Sequence, residues 1–113
     1  MHRLSACLVA ASLALAPALP SHAQTVEEAK EMVIGLYVVS IAIDACNLDL
    51  SKDQETRLDH WIGWAEKKLD IADRKLDKAY SSMEEAVEKD KSAFCKEMSP
   101  VAKQVLKDLP APN

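Results

Sequence analysis

The chain is short of the residues that interrupt helices. It holds 2 glycines and 5 prolines, and no proline falls between Thr25 and Ser99. Glycine loops that cradle phosphates are therefore absent, and with them the common nucleotide-binding signatures. Aromatic residues make up only 4% of the chain, which leaves Trp61 and Trp64 conspicuous. Histidine is scarce too: past the first 23 residues His60 stands alone, with no second His or Cys at i+3 or i+4 to complete a metal site. No His–Ser–Asp or Cys–His arrangement can be argued, so the reading is of a protein that is not an enzyme and uses no cofactor or metal.

Residues 1–23 read as a cleaved secretory signal peptide. His2 and Arg3 form a short charged start, Leu4 to Ala16 the apolar core, and Ser21-His22-Ala23 the small-x-small cleavage site. The apolar run is too short to span a membrane, so no stable insertion is expected after cleavage. Leu4-Ser5-Ala6-Cys7 has the letters of a lipoprotein processing site, but its apolar core follows the cysteine instead of preceding it, so Cys7 leaves with the signal. The expected location is the periplasm, or the exterior. The signal carries one Arg and no acidic residue, so the 14 basic and 18 acidic residues of the whole chain leave 13 against 18, a net charge of −5. Neither nucleic acid nor an anionic membrane is a fitting partner for that balance.

Past the signal, abundant Ala, Leu, Glu and Lys indicate an all-α fold. The expectation is one helical domain over 24–109: three main helices at about 26–46, 52–80 and 83–98, a short C-terminal helix, and a disordered tail at 110–113. Thr25-x-x-Glu28 and Ser51-x-x-Gln54 are capping boxes that open the first two helices. From Met32 to Cys46 the first helix is apolar almost all round, broken only by Ser40 and Asp44, which implies burial on most sides. A carboxylate at Asp44 then sits at the rim or pairs with Lys52 or Arg57. Ser99-Pro100 reads as a cap and first helical position for the last helix.

Leu58, Ile62, Ala65, Leu69, Ala72, Leu76, Ala79, Met83 and Ala86 follow 4-3-4-3 spacing. This is a coiled-coil seam of alternating large and small residues, suited to close helix pairing within the chain or in a homodimer. Glu66, Lys67, Lys68, Asp70, Asp73, Arg74, Lys75, Asp77 and Lys78 fill the opposite, solvated face.

Cys46 and Cys95 lack C-x-x-C spacing and read as a structural disulfide of an exported protein. They also test the fold. An unbroken helix from Ser51 to Asp90 would span roughly 60 Å, whereas bridged Cα atoms lie about 5–6 Å apart. Either the long helix breaks, or Cys46 of one chain bonds Cys95 of another across a two-fold axis. Equal arms would place the turn near Asp70, where no glycine or proline stands; the sequence offers Gly63 or Ser81-Ser82 instead.

In size, compartment and cysteine count the chain is similar to the acid-activated periplasmic chaperones. Leu69 to Tyr80, with Leu and Tyr at helical spacing, resembles the cysteine-bracketed helices of a lysozyme-inhibitor family, though the closely spaced first cysteines of that family are missing. Neither resemblance transfers a functional residue. The function expected is protein–protein interaction or envelope maintenance. Two alternatives are an acid- or stress-responsive chaperone and an inhibitor or accessory subunit of a cell-wall enzyme. Trp61, Trp64 and Ile71 are the candidate partner patch.

Overall fold

The computed structural model describes residues 25–112, so the expected signal peptide lies outside the described residues. Four helices follow one another: α1 (Val26–Ala45), α2 (Lys52–Leu69), α3 (Asp73–Lys89) and α4 (Lys91–Asp108). They form a helical bundle, as composition implies. Both expected N-caps are present. The Thr25 hydroxyl accepts from the Glu28 amide at 3.1 Å, and at Ser51 both arms of the capping box close, at 3.0 and 3.1 Å. At Thr25 the reciprocal arm differs: Glu28 takes its hydrogen bond from the Thr25 hydroxyl and not from the backbone.

The core is built around α1. Met32, Val33, Leu36, Tyr37, Val39 and Ala42 meet Leu58, Trp61 and Ala65 of α2 and Ala102, Leu106 and Leu109 at the end of α4. The nearly continuous apolar run of α1 thus serves two neighbours at once, where an amphipathic stripe would serve one. Packing of α1 against α3 is much lighter.

Cys46 and Cys95 form a disulfide within the one chain, with Cα atoms 5.5 Å apart. The long helix must therefore break, and it does so at a place the sequence did not advertise. Asp70 adopts the left-handed conformation (φ 53°, ψ 46°) and ends α2, with its N–H bonded to the Lys67 carbonyl at 3.2 Å. Aspartate tolerates this region better than most residues, which lets it stand where glycine is usual. Gly63 and Ser81-Ser82 both lie inside helices, so the expected helix at 52–80 is two pieces of two helices. The physical reason is tertiary: equal arms are what return the chain to Cys46.

The next boundary moves for the same reason. Asp90 (φ −147°, ψ 60°) separates α3 from α4, in place of a break at Ser81-Ser82. α4 then runs without interruption through Pro100, so Ser99-Pro100 does not open a separate helix as its capping pattern predicts. Proline lacks the N–H that would bond the carbonyl of Lys96. Pro100 is exposed, and Phe94 on one side and Ala102 and Leu106 on the other are packed into the core, which holds both halves in one helix.

The seam divides between α2 and α3. Leu58, Ala65 and Leu76 are buried, and Ile62, Leu69 and Met83 are half-buried against their own chain; Ala72, Ala79 and Ala86 face solvent. The expected free tail is anchored at its beginning. Leu109 is buried, and Arg57 and Trp61 of α2 donate to the Leu109 and Pro110 carbonyls at 2.8 and 2.9 Å. Arg57 Nε also lies 3.0 Å from the Asp53 carboxylate. Asp44 is exposed at the rim, and neither Lys52 nor Arg57 pairs with it.

Candidate functional site

The structure does not bring Trp61, Trp64 and Ile71 together on one surface. Trp61 is only 3% exposed, so it belongs to the core and not to a patch. Its indole N–H reaches Pro110, and its ring meets Trp64 edge-on at 5.9 Å and His60 at 4.6 Å. Trp64 is half-buried against the core, with the Lys68 ammonium 5.7 Å from its ring centre. Ile71 is exposed in the turn between α2 and α3. Heptad position told which residues lie away from the seam. It did not tell that α2 also turns Trp61 toward the tail.

The exposed apolar surface that the sequence reading missed lies on α1. Ile34 is 49% exposed, more than Ile71 at 40%. Gly35 beside it is also exposed, and Val38, one turn further on, is half-buried. Glu31 and Lys30 border this stretch on the preceding turn. A Cβ added at Gly35 would meet nothing within 4 Å, so the backbone itself is open to approach here. A signal was present: a helix apolar around its circumference exposes apolar side chains wherever a neighbour does not cover it. Here Val33, Leu36 and Tyr37 on the same turn are buried while Ile34 and Gly35 are not, so the uncovered part is one face of α1.

Beneath α3 lies a small polar network. The Tyr37 hydroxyl donates a short hydrogen bond to the Glu66 carboxylate. Tyr80 meets the Tyr37 ring edge-on at 5.1 Å, and its hydroxyl lies 3.0 Å from the Ser40 hydroxyl. Burial holds the Tyr37 phenol well above its ordinary pKa, and the hydrogen bond to Glu66 and the negative charges of Glu66 and Asp77 add to the shift. Two tyrosines and a serine thus link α1, α2 and α3 through polar tips on apolar bodies.

Two open clefts border α3. One, of about 140 Å³, is lined by Ile41, Asp44 and Ala45 of α1, Glu84, Val87 and Glu88 of α3, and Lys91. The other, of about 370 Å³, is lined by Gly63, Glu66, Lys67, Asp70, Ile71, Asp73 and Leu76 at the α2–α3 turn. Among the described residues no group of three or more His, Cys, Asp or Glu side chains is placed to hold a metal ion. No described helix is long and apolar enough to cross a membrane.

Comparison with protein-family models, curated proteins and solved structures gives no match to this chain.

Proposed function

We propose that this protein acts in the periplasm, or outside the cell, by binding another protein through the open face of α1. The observation that carries the reading is Ile34: a large aliphatic side chain half exposed on the helix around which the core is built, with bare backbone at Gly35 beside it. Association through such a site gains from removing apolar surface from water, and the glycine allows close helix approach. The location is supported by the Cys46–Cys95 bridge, which persists in oxidising compartments, and by the signal-like residues 1–23. Envelope maintenance then describes the setting and protein binding the activity.

Site-specific photo-crosslinking tests this. A crosslinking residue at position 34, in the protein expressed in its own source cells, should trap one recurrent protein. The same residue at Lys103, exposed on α4, should not. Equal adducts from both positions, or none from 34, would remove the basis for the proposal.

A further inference from the structure

α3 is held to the rest of the molecule differently from the other helices. Of its seventeen residues only Leu76 is buried. Tyr80 and Met83 pack against the core from its middle, and Val87 is half-buried near its end. Asp73, Arg74, Lys75, Asp77, Lys78, Glu84, Glu85, Glu88 and Lys89 along it are all exposed. The clefts described above fall at its two ends, one against α2 and one against α1. Contact is thus concentrated over Leu76–Met83, with open space on either side.

Neither end of α3 is held by a side-chain cap. It begins after Asp70, which holds a left-handed conformation that costs a non-glycine residue free energy. Its N-cap, Ala72, offers no side-chain hydrogen bond. It ends at Asp90, which caps neither α3 nor α4 with its side chain. The link before α3 is Asp70-Ile71-Ala72 and the link after it is Asp90 alone, and from these points the helix can come apart without disturbing its neighbours. By contrast α1, α2 and α4 share one core, and the Cys46–Cys95 bridge joins the end of α1 to the first part of α4. Regions with few buried apolar contacts open locally at a fraction of the global free energy.

We propose that α3 opens as one cooperative unit, its helix unfolding between Asp70 and Asp90 while α1, α2 and α4 stay assembled, which uncovers Tyr37 and Ile41 on α1. Both are closed to solvent with α3 in place, at 5% and 4% exposure. The Ser40–Tyr80 hydrogen bond and the Tyr37–Tyr80 ring contact are the latch. Ile41 lies two turns along α1 from Ile34, so the opened surface adds to the apolar face already exposed there. The motion belongs to the free protein and stands whether or not that face binds a partner.

Native-state hydrogen exchange of the oxidised protein, read by mass spectrometry, tests it without any partner. Amides of 73–89 should exchange as one block, at least about tenfold faster than those of 32–42 in α1 and 101–107 in α4. Exchange of α3 at the rate of α1, or graded fraying from its ends with a protected middle, would overturn the proposal. Tyr80→Phe keeps the ring and removes the hydroxyl from Ser40, so exchange in α3 alone should rise about fivefold. An equal rise in all four helices would show that α3 opens only with the whole fold, and would equally overturn it.

Discussion

Replacing Cys46 and Cys95 together by alanine removes the covalent link that closes α2 and α3 into a loop. The two residues are 49 positions apart. Releasing a loop of that length returns about 4 kcal/mol of conformational entropy to the unfolded chain. A domain of this size has a total stability of roughly 5–13 kcal/mol, so the loss is a large share of it. In thermal unfolding it corresponds to a fall in Tm of about 20 °C. The native fold should survive at low temperature, because Ala102, Leu106 and Leu109 still pack on α1 without the bridge. The check is urea unfolding followed by far-ultraviolet circular dichroism, comparing the oxidised protein with the double variant. The m-value should rise, since the uncrosslinked chain unfolds to a more expanded ensemble. A loss below about 1 kcal/mol would refute the argument from loop closure. It would mean that the unfolded chain stays compact without the bridge.

Tyr37 gives a pH dependence with a defined sign. Folding raises its pKa, so the stability tied to its proton is whole below the ordinary phenol value near pH 10 and falls as pH rises above it, because the unfolded chain releases the proton first. Urea midpoints from pH 9 upward should therefore fall more steeply for the native protein than for Tyr37→Phe; parallel curves would count against the assignment. Trp61→Phe keeps one aromatic ring in the core but removes the rest of the buried indole and leaves the Pro110 carbonyl without its donor, which should cost about 2–3 kcal/mol in urea unfolding and release the tail to proteolysis. Gly63→Ala should stabilise the protein by roughly 0.5–1 kcal/mol in the same assay, since Gly63 lies inside α2 and an added Cβ meets nothing within 4 Å.

Much of this architecture was legible in the residues themselves. Thr25 and Ser51 marked helix starts because their hydroxyls satisfy free backbone amides locally, and local interactions can be read from neighbours in sequence. The absence of proline over a long stretch made helices the expectation for the same reason. Cys46 and Cys95 showed that the chain between them has to fold back or pair with a second chain, since a straight helix cannot bring its ends together. The site was less legible. Burial of Trp61 follows from where the tail returns, and exposure of Ile34 from which faces of α1 its neighbours cover. Neither depends on residues close by in sequence.

The sequence by itself determined that the protein is helical, where its first two helices begin, and which cysteines can be joined. Tertiary structure alone decided that the long helix breaks at Asp70 and that Pro100 stays within a helix. An aspartate in a left-handed turn and a proline in a helix interior both cost free energy locally. Each is held by what lies on either side of it. The Asp70 turn lets the two arms carry the chain back to Cys46, and α4 on both sides of Pro100 is anchored in one core. Helix-forming tendencies are set by neighbours in sequence, whereas the advantage that overrides them comes from residues tens of positions away.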